Sequence, residues 1–101
     1  MSGGEDAPER VGVALRLYVA ADSAPSLLAR RQLELVRERL GGEDWGVEVV
    51  DVFESPEVAE ADRIIATPVL VRLYPEPRLS VIGDLGDWRE VARILDLGGA
   101  V

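Results

Sequence analysis

The sequence predicts a single α/β domain with the element order β-α-β-α-β-β-α. Three observations carry that prediction. Four short runs rich in Val, Leu and Ile read as strands. Three further stretches carry apolar residues at helical spacing, or open on a cap followed by proline. The chain has 101 residues and 48% hydrophobic content, which suits one core in one domain. The domain is expected over 12–98. Residues 1–11, with Glu5, Asp6 and Glu9, read as a disordered tail, and 99–101 as a short C-terminal one.

Val13–Ala20, VALRLYVA, is almost wholly apolar and is broken only by Arg16. Such a run suits a strand covered on both faces. Asp22 and Ser23 offer N-cap oxygens, and Pro25 fits a first helical turn. Ala29, Leu33, Val36 and Leu40 then lie on one helical face, with most charged residues outside it. Gly41 is placed for the left-handed residue that ends a helix.

Val47–Phe53 is the second strand. Ser55 and Pro56 start a second helix that is expected to run to about Ile64, where Thr67-Pro68 interrupts. Val69–Leu73 is the third strand. Two prolines, Pro75 and Pro77, mark the tight connection to a fourth strand at Leu79–Ile82. Asp87 and Glu90 suggest a capping box for a last helix over Trp88–Leu97. Trp88, Val91 and Leu95 form its apolar face, and Gly98-Gly99 is expected to end it. A right-handed βαβ crossover makes the first two strands parallel, and the last two form a hairpin. This is the thioredoxin-like arrangement.

Composition removes several function classes. The net charge is −8, from 19 acidic and 11 basic residues. A field of that sign repels phosphate backbones and anionic membranes, so nucleic acid and membrane are not expected partners. No apolar run nears the ~20 residues of a membrane span, and the N-terminus lacks the apolar core of a secretory signal. A cytoplasmic location is expected. The chain contains no Cys, His or Lys. It therefore has no thiolate, no imidazole ligand or base, and no Schiff-base amine. Arg cannot serve as an ordinary base. The expectation is a protein that is not an enzyme and needs no cofactor.

Each candidate for chemistry has a plainer explanation. The loop AADSAPS at 20–26 lies where a thioredoxin carries its cysteines. Without an activating base, Ser23 and Ser26 read as capping hydroxyls and not as nucleophiles. Asp84, Asp87 and Glu90 lack the ligand count and loop pattern of a calcium site, and capping explains them. Asp51, among apolar strand neighbours, is either a buried carboxyl of raised pKa or an ordinary hydrogen-bond acceptor. Thr67-Pro68 reads either as a rigid turn beside a binding surface or as a helix stop. Its peptide bond would be trans by default. No glycine pair has the spacing of a phosphate loop.

PEVAEADRIIATPVL at 56–70, PEP at 75–77 and VIGDL at 81–85 closely resemble the second half of the KaiB family. LRLYVAADSAPSLLARRQL at 15–33 is similar to its opening strand, loop and helix. The resemblance spans 13–97. It implies a thioredoxin-like partner-binding form; Thr67-Pro68 resembles the segment before the third strand of thioredoxin-like proteins, in which this proline is usually cis. It implies a regulator that binds a KaiC-like RecA-type ATPase in circadian timing or stress signalling. It places Glu57, Glu60, Asp62 and Arg63, on the second helix, in the partner surface. A different class of function is a sensory or adaptor domain similar to the N-terminal domain of the clock kinase SasA, which would add a histidine kinase as partner.

The resemblance also implies a second fold, βαββααβ, which is tetrameric, whereas the thioredoxin-like form is monomeric. The second half is rebuilt between the two. Pro68, Asp87, Ile94 and Asp96 are the positions implied to matter for that balance. Ile94 stands where the family often has Gly, and Asp96 matches it. Gly costs ~0.8–1.0 kcal/mol more than Ala in a helix and Ile costs less, so Ile94 favours the helical form of 88–97. The Asp87 cap adds to the same side. Ala21 replaces a usual Gly, the loop proline is shifted to Pro25, and Leu79-Ser80 replaces an arginine pair. The acidic tail of cyanobacterial members is not seen. These departures point to a homologue outside the cyanobacteria, with the ATPase as its main partner and not KaiA or output kinases.

Overall fold

The computed structural model describes residues 12–97. The tails expected at 1–11 and 99–101, and the Gly98-Gly99 stop, lie outside the described residues. The strands are β1 (Ala14–Val19), β2 (Gly46–Asp51), β3 (Val69–Tyr74) and β4 (Leu79–Ile82), and the α-helices are α1 (Ala24–Arg39), α2 (Pro56–Ala61) and α3 (Trp88–Ile94). A short 3-10 turn, Gly42–Asp44, follows α1. The order is the one the sequence predicts.

The sheet runs β2-β1-β3-β4. β1 and β2 are parallel, with Leu17 opposite Val49. β3 is antiparallel to both β1 and β4. Strand alternation sorts the side chains onto two faces. Leu15, Leu17 and Val19 meet Leu70 and Val81 under α1 and α3, whose Ala29, Leu33, Val36 and Val91, with Leu95 just after α3, close that core. Tyr18, Val50, Val69 and Val71 face the other way, with Ala59 of α2 packed among them. Covering both faces explains the nearly unbroken apolar run of β1. Each large core side chain stabilises the fold by ~1.5–3 kcal/mol through burial.

Helix ends follow local chemistry. Ser23 is the N-cap of α1, and its Oγ accepts a hydrogen bond from the Ser26 amide at 3.3 Å. Gly41 has φ 64 and ends α1, as its position predicts. Ser55 occupies the N-cap of α2 without a side-chain cap bond. Asp87 Oδ1 accepts from the Arg89 and Glu90 amides at 3.1 and 3.4 Å. The capping box is only half formed, because Glu90 pairs with Arg93 and not with the Asp87 amide.

Two helices are shorter than their patterns predict. α2 stops at Ala61 and not near Ile64, and α3 stops at Ile94 and not at Leu97. Both end in a Schellman motif. The Ile64 amide donates to Ala59 and the Arg63 amide to Glu60; likewise the Leu97 amide donates to Ala92 and the Asp96 amide to Arg93. The left-handed residues are Arg63 at φ 57 and Asp96 at φ 53. A side chain at such a position carries a steric cost that glycine avoids. Neither residue type announces a helix stop, so periodicity overran both ends. Ala21 is a third such residue, at φ 50, which accounts physically for the glycine the KaiB resemblance places there. The Thr67-Pro68 bond is cis and not the trans default.

Candidate partner-binding surface

Residues Ser55–Ala66 form a short helix and a return loop on the second face of the sheet. Pro56 sits in the first turn of α2, and Glu57 and Glu60 are solvent-exposed on it. Arg63 is exposed at the left-handed position just beyond. These three suit an accessible protein surface.

Asp62 is different. It is the C-cap of α2, and its side chain is only 10% exposed. Its carboxylate accepts hydrogen bonds from the Tyr18 hydroxyl, from Arg78 Nη1 and, at 3.1 Å, from Arg16 Nη1. Arg16 also donates through Nε to Glu48 at 3.0 Å. One carboxylate therefore joins β1, the end of α2 and the residue before β4. Burial alone would push the Asp62 carboxyl up. The hydrogen bonds from Tyr18 and Arg78, and the charges of Arg78 and Arg16, outweigh burial and hold it below its ordinary range. Burial first, then the bond to Asp62, pushes the Tyr18 hydroxyl above its ordinary range, so it stays a donor at neutral pH.

This has a measurable consequence. A carboxyl whose folded pKa is depressed contributes stability above its unfolded value, here 3.8. That contribution is lost as pH falls through the lower folded value. Asp62→Asn is expected to be less stable than the wild type at pH 7 and to lose less further stability on acidification to about pH 2. Urea unfolding across that range checks it. Parallel pH curves for the two proteins would show that Asp62 is not held as described.

The other singled-out residues serve the frame. Pro68 is buried, and its carbonyl accepts from the Gly83 amide at 3.0 Å. Ile94 lies in the last turn of α3 and packs against the larger core, while Asp96 closes the helix. Ser26 is fully buried, and its Oγ accepts from the Ala20 amide at 2.9 Å. Both loop serines are thus structural. Asp51 Oδ1 accepts from the Phe53 amide at 2.8 Å, the ordinary acceptor role. Asp84 Oδ1 accepts from the Gly86 amide and Gln32 Nε2, at 2.8 and 3.0 Å.

Sequence reasoning singled out Asp62 but missed its partners Tyr18 and Arg78, and it noted Arg16 only as a break in a strand. Arg16 and Tyr18 are two apart in β1 and so share a face. A charged and a hydroxylated residue on one face of an otherwise apolar strand was the available signal. Arg72 was missed for the same reason. It is buried in β3 and donates to the carbonyls of Pro77 and Leu95 at 2.8 and 2.9 Å.

A family model described as the KaiB domain matches residues 16–97. The chain belongs to the KaiB family. A KaiB from Prochlorococcus marinus is 44% identical over 86 residues, covering 82% of this chain and 78% of that protein. KaiB1 of Synechocystis sp. is 39% identical over 83 residues, covering 82% and 79%. Both are described as circadian clock oscillator proteins. Among solved structures, a chloroplastic thioredoxin z superposes with a TM-score of 0.72 at 26% identity, covering 100% of this chain and 93% of the other. The N-terminal domain of SasA from Synechococcus elongatus superposes with a TM-score of 0.65 at 20% identity, covering 89% and 85%. This KaiB-family chain therefore has the thioredoxin-like fold, without the cysteines that give thioredoxins their chemistry.

Proposed function

We propose that this chain is a non-enzymatic, cytoplasmic regulator that binds the ring of a KaiC-like RecA-type ATPase, in circadian timing or stress signalling. The observation that carries the reading is the KaiB-domain match over 16–97 in a chain folded in the thioredoxin-like arrangement. The binding surface is Glu57, Glu60 and Arg63, with Asp62 holding the loop from beneath. The reading includes the tetrameric βαββααβ arrangement as a second state. Ile94 and the Asp87 cap favour the helical state of residues 88–97.

The test is co-elution of the purified protein with a KaiC-like hexamer in the presence of ATP. Complex formation is expected, and Glu57→Lys, Glu60→Lys or Arg63→Glu should weaken it. A central contact would lose tenfold or more, or about 1.4 kcal/mol, and a rim contact less. Reversal at Asp62 is a poor probe of the interface, because it breaks the cluster beneath. No co-elution by the wild type would overturn the reading. The likeness to the SasA domain favours a second reading, a sensory or adaptor domain. Binding to a histidine kinase in place of the ATPase would select it.

A further inference from the structure

α1 turns one face into the core and leaves the opposite face open. Ala29, Leu33 and Val36 are buried beneath it. Leu28, Arg31, Leu35 and Glu38 follow one another at spacings of three, four and three. At about 3.6 residues per turn that stripe runs along the side away from the core. Leu28 is 51% exposed and Leu35 36%, and Leu27 beside them is 48% exposed. Three leucines on one side of one helix make an apolar stripe, not a scatter. Along it lies a shallow groove of about 480 Å³, reaching from Arg31 past Leu35 to Glu43 in the turn after α1.

The charges on α1 are not spread evenly. Four arginines lie on it, but most are engaged or turned away. Arg37 pairs with Glu34 at 3.6 Å. Arg39 lies over the Trp88 ring, 5.8 Å from its centre. Arg30 sits about 100° round the helix from Arg31. Arg31 and Glu38 make no ion pair among the described residues. They flank Leu35, Arg31 one turn before it and Glu38 one turn after. The stripe therefore carries one positive and one negative charge about an apolar centre. An antiparallel copy of α1, related by a two-fold axis beside Leu35, sets Leu35 against Leu35. The same axis brings Arg31 beside the second copy's Glu38, and does so twice. The two helix dipoles then also oppose, which is their favourable arrangement.

We infer that α1 pairs with α1 of a second copy of this chain, in a weak antiparallel dimer of the thioredoxin-like form. Self-complementarity selects the occupant: a surface of one charge sign would set like against like at Arg31 or at Glu38. The net charge of −8 on each copy opposes the contact. Salt removes most of that opposition, since exposed charges are screened beyond ~8 Å at physiological ionic strength. A 16-residue helix is ~24 Å long, a footprint below that of a standard interface, so the dimer belongs to the weak class. α1 and α2 cover opposite faces of the sheet. The contact thus leaves Glu57, Glu60 and Arg63 free, and it does not depend on ATPase binding. It departs from the monomer that the family resemblance implies for this form. It is also distinct from the βαββααβ tetramer, because it keeps residues 88–94 helical.

The experiment is sedimentation equilibrium of the full chain at physiological salt, up to about 1 mM protein, with NMR secondary shifts recorded on the same samples. A monomer–dimer equilibrium with Kd of about 0.1–1 mM is expected, with residues 88–94 helical throughout. Leu35→Ser, Arg31→Glu and Glu38→Arg should each weaken it at least fivefold. Arg30→Glu makes the same change in net charge off the stripe and should alter it less than twofold. Mixing Arg31→Glu with Glu38→Arg in equal amounts should restore association, because each variant then meets opposite charges at both contacts. A chain that stays monomeric to about 1 mM would overturn the proposal and leave the stripe to a different protein. So would a dimer indifferent to all three stripe variants, a mixture that associates no better than either variant alone, or a dimer in which residues 88–94 are not helical.

Discussion

Leu95→Ala is expected to destabilise the protein by about 2–5 kcal/mol. Leu95 is fully buried, at 0% exposure, in the core that also holds Leu33, Leu85 and Val91. It follows directly on α3 and anchors that helix against α1 and the sheet. Truncation removes its burial energy and leaves a cavity that the β-sheet on one side and α1 on the other cannot readily fill. The helix has few other means of support. At seven residues it is far below the ~12–15 at which an isolated helix becomes even marginal, so packing must hold it. Chemical denaturation of wild type and variant measures the loss. A change below about half a kcal/mol would mean that the site collapses without cost and that α3 is not packed as described.

How far the sequence could be read depended on the kind of signal. β1 and β3 were legible because burial on both faces leaves nearly unbroken apolar runs, while β2, partly exposed, was legible from its Val-rich run and β4 from its place after the two prolines. The topology followed from the βαβ unit and the proline-rich hairpin. α1 was legible at both ends, since Ser23 caps it and Gly41 is the residue its stop requires. α2 and α3 were legible only at their starts. Their stops use Arg63 and Asp96 in a conformation usually given to glycine, and no composition rule reveals that. The candidate surface was legible in part. Glu57, Glu60 and Arg63 are exposed as a partner surface requires. Asp62 looked the same in the sequence, being one more acidic residue on a helix. Its real setting depends on Arg16, Tyr18 and Arg78, which lie 46, 44 and 16 residues away along the chain. Only the fold brings them together.

Arg72→Met is expected to cost about 3 kcal/mol, because a buried guanidinium holds together the two ends of the second half of the fold. Arg72 is 3% exposed in the middle of β3. Nη2 donates to the Pro77 carbonyl in the hairpin at 2.8 Å, and Nη1 to the Leu95 carbonyl just beyond α3 at 2.9 Å. The last carbonyls of a helix have no partner within it, and the negative end of its dipole favours a cation there. Arg72 supplies both the donor and the charge. It has no carboxylate partner among the described residues, so removing it strands no buried anion. Met preserves much of the aliphatic stem, and the packing loss is therefore small. The Nε of Arg72 is already without a hydrogen-bond partner, and its removal is a small gain. What remains is the loss of two short charge-assisted bonds, at ~1.5–3 kcal/mol each, and of a longer one from Nη1 to the Asp96 carbonyl at 3.5 Å, less the partial rehydration of those carbonyls. Arg72→Lys should recover only part of this, since a single ammonium does not reproduce the fork that spans the two carbonyls. Urea denaturation gives the total. Hydrogen exchange gives its location: α3 amides should lose protection ahead of those in β1. Stability within half a kcal/mol of the wild type, with α3 protection unchanged, would show that the guanidinium holds neither end.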